Sequence, residues 1–112
     1  MALRRVASDW IPVVAWAAVI FAFSSIPNLG TDLGTWDLVL RKLVHVTEYA
    51  ILGFLLARAV PLTLALLIGI AYAFTDEFHQ TFVAGREGAP RDVAIDAAGV
   101  AIGLLVQRRL AR

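Results

Sequence analysis

Residues 72–103 read YAFTDEFHQTFVAGREGAPRDVAIDAAGVAIG, and the division of this stretch decides the fold. One apolar run closes in Asp76, Glu77 and His79, a glycine-punctuated connection carries Arg86 and Arg91, and a second apolar run opens with Asp92 and Asp96. Ionisable groups at the ends of hydrophobic helices are costly beside a bilayer, so they are paired, hydrated or functional. The stretch predicts two helices whose charged ends meet.

The surrounding chain has the composition of a membrane protein. Its apolar fraction is 60%, against roughly 45–50% in soluble domains. A soluble domain of 112 residues would also bury an incomplete core. Four apolar runs, at about 10–26, 40–60, 62–82 and 92–107, approach the ~20 residues that a spanning helix needs. The expected fold is all-α and integral to the membrane: one domain over residues 1–112, a bundle of four transmembrane helices with short loops. A formal charge of +1, with the ten basic residues scattered, forms no basic face for nucleic acid. With no cysteine there is no disulfide, thiolate zinc site or cysteine nucleophile, which leaves histidine and carboxylates as metal ligands.

The first run follows Arg4 and Arg5 and passes small residues at Ala22, Ser24 and Ser25, as the core of a signal peptide also would. Its length favours a span, as does its ending in FSSIP, where Pro27 closes a helix and the serines cap it or bond its backbone. Residues 28–37, with Gly30 and Gly34, form a polar loop in which a short turn around Leu33 and Trp36 sets the indole at the interface. Arg58 and Pro61 interrupt the next apolar stretch, so the second and third spans form a tight antiparallel hairpin. With four spans both termini share one side. There Arg4, Arg5, Arg58, Arg108, Arg109 and Arg112 outnumber Arg41, Lys42, Arg86 and Arg91 opposite, which places the termini in the cytoplasm. Alternation alone brings the charged ends of spans two, three and four together.

At about 100° per residue, Lys42, His45 and Tyr49 share one stripe of span two with Glu48 on its flank, and Tyr72, Asp76, His79 and Gln80 share an arc of span three, with Glu77 further round. On span four the stripe that carries Asp92 and Asp96 also carries Gly99 and Gly103, and a Gly-x-x-x-Gly pair admits another helix closely. The acids therefore face the bundle interior. By the same reasoning Gly53 is expected to tolerate a larger side chain better than Gly99 or Gly103. An ion network that satisfies its own charges is the alternative to a site.

The ordered motifs are Ser24-Ser25-x-Pro27, Lys42-x-x-His45-x-x-x-Tyr49-x-x-Leu52, Asp76-Glu77-x-x-Gln80-x-Phe82, Gly85-Arg86, and then Asp92, Gly99 and Gly103. Together they resemble the VanZ-like family of small bacterial multi-pass membrane proteins, named after a teicoplanin-resistance protein, over nearly the whole chain. Where Asp96 stands the family commonly shows asparagine. The resemblance implies a cell-envelope protein of the kind linked to reduced binding of lipoglycopeptide antibiotics, and it matches Arg86 to a family arginine. Some members carry an enzyme name, phosphotransbutyrylase, but an acyl-CoA substrate needs a cytosolic site and the cluster is expected on the opposite face.

Three functions compete. The first is binding or shielding an anionic, lipid-linked cell-wall component at the outer leaflet, with Lys42, Arg86 and Arg91 meeting phosphate or carboxylate; membrane lipid, a cell-wall precursor or a glycopeptide are then the partners. The second is a membrane-embedded, metal-assisted hydrolase or transferase built from His45, Glu48, Asp76, Glu77, His79, Asp92 and Asp96, with His45, Asp76, His79, Asp92 and Asp96 as candidate ligands of a divalent ion. A proton-coupled transporter fits least, since no acid stands at mid-span.

Overall fold

The computed structural model describes residues 2–26, 35–83 and 90–111. These form four helices, α1 (Ala2–Ser24), α2 (Thr35–Ala59), α3 (Leu62–Gln80) and α4 (Pro90–Leu110), with no strand among the described residues. The all-helical expectation holds, with shifted ends. Helix α1 begins well before the expected run, and α2 takes in Trp36, expected in a loop turn; Leu33 lies outside the described residues. At the start of α1, Ala2, Leu3, Arg4 and Arg5 are residue types of high helix propensity, which carries that helix beyond its apolar window.

The turn between α2 and α3 follows from Pro61. A residue before proline is pushed out of the helical region, so α2 stops, with the Val60 amide donating back to the Leu56 carbonyl at 2.9 Å. Pro61 itself adopts φ −58° and ψ 155°, and its carbonyl accepts from the Ala65 amide at 2.9 Å to open α3. Proline suits this place because the first amides of a helix have no intrahelical acceptor.

Helix α2 packs most extensively on α4. The two run parallel, since Lys42 and His45 reach Asp92 and Asp96 while Ala50, further along, faces Gly103. Small residues permit this approach. A Cβ on Gly99 would stand 2.7 Å from the Val46 carbonyl oxygen, and one on Gly103 would collide with the Ala50 carbonyl. Gly53 overturns the expectation placed on it: a Cβ there would run into the Val100 carbonyl of α4. It stands four residues after Tyr49 and so lies on the stripe that faces α4. We expect Gly53→Leu to melt the protein as severely as Gly99→Leu, which detergent thermal unfolding of the two variants will check.

Helix α3 packs on α4 and α2, and α1 lies mainly against α2. The interior contains Ile20, Tyr49, Leu52, Leu56, Ala65, Ala73, Val100 and Leu104. Polarity is distributed against the usual rule of soluble proteins. Asp96 is 0% exposed and Asp76 4%, whereas Phe78 is 68% and Phe82 75% exposed, and large apolar side chains face outward from every helix. By length and composition, two helical segments among the described residues suffice to cross a membrane, Val6–Ser24 and Leu62–Gln80. Helices α2 and α4 have the length, at 25 and 21 residues, but carry the charged residues of the cluster.

Candidate functional site

The site gathers at one end of the bundle, where the C-terminal turns of α1 and α3 meet the N-terminal halves of α2 and α4. Asp76, on α3, is its best-satisfied acid. The Tyr49 hydroxyl donates to its Oδ2 at 2.7 Å and the Ser24 hydroxyl to its Oδ1, while the Gln80 amide donates to Ser24 Oγ at 3.4 Å. All four side chains are buried. Two hydroxyls aimed at one carboxylate offset part of its desolvation, because hydrogen bonds to a charged group are roughly twice as strong as neutral ones.

Asp96 and Glu77 are less well served. Asp96 Oδ1 lies 3.0 Å from His45 Nδ1. Its Oδ2 has no hydrogen-bond partner among the described residues, and neither has either oxygen of Glu77, although both side chains are buried. One ligand-type atom from each of His45, Asp76, Glu77 and Asp96 lies within 4.8 Å of all the others. Three buried carboxylates thus converge on one imidazole.

The remaining sequence candidates surround this group. Lys42 forms an ion pair with Asp92 at the partly exposed start of α4. His79 stacks on Phe21 with ring centroids 4.4 Å apart and meets Ser25 Oγ at 3.0 Å, so it faces α1 rather than the acids. Glu48 is buried, and its backbone carbonyl accepts the Trp16 indole N–H at 2.8 Å. Arg91 is exposed, and Arg86 lies outside the described residues. Gly99 and Gly103 form the close seam with α2.

The sequence suggests a local capping role for Ser24, whereas its hydroxyl serves Asp76 on another helix. The level of Ser24 at the end of the first apolar run, matching the level of the acids, is the signal that could have found it. Tyr72 likewise ties helices together, donating from its hydroxyl to the Ala17 carbonyl at 2.5 Å.

Beside the acids, α1 and α2 enclose an open cleft of about 320 Å³. Phe23, Ile26, Leu40 and Val44 supply apolar walls, and Ser24, His45, Glu48 and Gln80 a polar floor, with Arg41 also on the lining. The cleft therefore leads from an apolar surface to His45, the partly exposed member of the cluster.

Comparisons with curated proteins and with solved structures gave no match. The sequence model of the family described as VanZ/LLP1 matches residues 3–111, a span that holds nearly all of the four helices and every residue of the cluster, and the chain belongs to that family.

Proposed function

We propose that this VanZ/LLP1 protein is a multi-pass protein of the bacterial cytoplasmic membrane whose four helices all span the bilayer, and that it binds an anionic, lipid-linked cell-envelope component at the outer leaflet. The outward-facing apolar side chains and inward-facing acids support membrane immersion, since lipid solvates phenylalanine well and carboxylate badly. With Glu48 and Asp96 buried, Lys42 paired to Asp92, and the exposed Arg58, Arg91, Arg108 and Arg109 standing near the helix ends, both helices become acceptable spans despite their composition.

The cleft between α1 and α2 carries the ligand reading. Its apolar walls suit an acyl or prenyl chain arriving from the bilayer, and its floor brings a polar headgroup to the buried cluster. Arg41 on the lining, together with Lys42 and Arg91 at the α2 and α4 ends, supplies cations of the kind that recognise phosphate or carboxylate. A role in protection from glycopeptide antibiotics would follow from holding such a component out of reach.

Native mass spectrometry tests the cleft. The wild-type protein is expected to retain a phospholipid or polyprenyl species, and Val44→Trp, which fills the cleft from an exposed position, is expected to lose it without a lower melting temperature. Undiminished lipid on that variant defeats the reading.

Orientation is tested separately. With the termini cytoplasmic, the connection between α3 and α4 lies outside. An impermeant thiol reagent is then expected to label Gly88→Cys in intact cells. Labelling only after the cells are opened would reverse the topology and remove the outer-leaflet role.

A further inference from the structure

We propose that His45, Asp76, Glu77 and Asp96 hold one divalent transition-metal ion of the zinc or manganese class. Ligand atoms around an ion at roughly 2.0–2.2 Å lie roughly 3–4.4 Å from one another. The four atoms here all lie within 4.8 Å of one another, close to that spread. The 3.0 Å separation of His45 Nδ1 and Asp96 Oδ1 already falls within it.

The second observation is what these acids lack. Glu77 is 5% exposed and Asp96 0%, yet both Glu77 oxygens and Asp96 Oδ2 have no hydrogen-bond partner among the described residues. Buried carboxylates are otherwise paired, hydrogen-bonded or bound to metal. The free oxygens belong to the same two residues that join His45 and Asp76 in the cluster.

Around the cluster stand the outer contacts that a metal site requires. Tyr49 and Ser24 each donate to Asp76, and Gln80 in turn donates to Ser24, so the carboxylate is oriented before any ion arrives. One imidazole with three carboxylates is a donor set for Zn²⁺ or Mn²⁺; Ca²⁺ takes more oxygens, and soft ions take sulfur. The competing occupant of the cluster is a proton shared between Glu77 and Asp96.

The site uses the same cluster as the lipid reading, but its test needs no lipid, so either can fail alone. Full-length protein in mild detergent is stripped with a chelator and titrated with Zn²⁺ or Mn²⁺ alone. One ion per chain is expected, with the affinity lowered roughly tenfold or more in Glu77→Gln and in Asp96→Asn. Asp9→Asn, which alters an acid outside the cluster, is expected to change nothing. Electron spin-echo spectroscopy of the Mn²⁺ form is expected to show coupling to a histidine nitrogen that disappears in His45→Gln. That coupling is read on the wild-type protein even if a variant fails to fold. Substoichiometric binding, affinity unmoved by the Glu77 and Asp96 substitutions, or Mn²⁺ without nitrogen coupling would each overturn the proposal and leave the shared proton.

Discussion

Gly103→Leu is expected to abolish the folded protein, with a loss beyond about 3 kcal/mol, the upper end of the usual range for overpacking. The reason is the identity of the neighbour. A flexible side chain could swing aside, but the first carbon added at Gly103 meets the Ala50 carbonyl and, at 2.7 Å, the Phe54 amide nitrogen, both backbone atoms of α2. Relief requires the helices to separate, and separation would strip contacts from Gly53 to Val100 and from Gly99 to Val46 at once. Leucine at Gly69, where the three atoms nearest the added carbon all belong to the Val100 side chain and none to backbone, is expected to be milder because a side chain gives way more easily than a helix backbone. Expression level and detergent melting of the two variants measure the difference. Equal melting would mean that α2 and α4 do not approach as closely as described.

The second large effect is expected at Asp76. Its replacement by alanine removes the acceptor of two buried hydroxyls, Tyr49 and Ser24, and each unsatisfied group costs about 1–3 kcal/mol. An opposing effect comes from Glu77 and Asp96, since deleting one of three neighbouring acids relieves repulsion. Two orphaned donors outweigh that relief, and a net loss of about 2–4 kcal/mol is expected. Asp76→Asn keeps an acceptor oxygen and should recover most of the stability. A double-mutant cycle with Tyr49→Phe separates the contributions, because the Asp76→Ala penalty must shrink once the tyrosine hydroxyl is gone. A penalty of equal size in the Tyr49→Phe background would show that the hydroxyl does not serve the carboxylate.

Much of this site is legible without coordinates because alternation of four helices forces the charged ends together, and because helical spacing places His45 with Tyr49 and Asp96 with Gly99. What spacing cannot supply is rotation of one helix against another. Glu77 falls outside the polar arc of its own helix, yet α3 is turned so that both Asp76 and Glu77 enter the interior while His79 turns toward Phe21 on α1. Ser24 escapes sequence reasoning for a related cause. A serine near a helix end has a local use in capping, and only packing reveals an acceptor on another helix. Gly53 is accessible in principle, being one turn beyond Tyr49 on the same stripe, but its partner, the Val100 carbonyl, is backbone and leaves no mark in the residue pattern.

The α2–α4 seam also works as a length standard for the chemistry beside it. Asp96 lies less than one turn before Gly99, and His45 precedes Val46, whose carbonyl Gly99 nearly touches. The reach from imidazole to carboxylate is therefore calibrated by a place where a side chain is missing. Adding even one methyl group at Gly99 would lengthen that gauge and draw His45 from Asp96 without altering either residue, so a silent change in the packing could mistune the site while leaving every polar group in place.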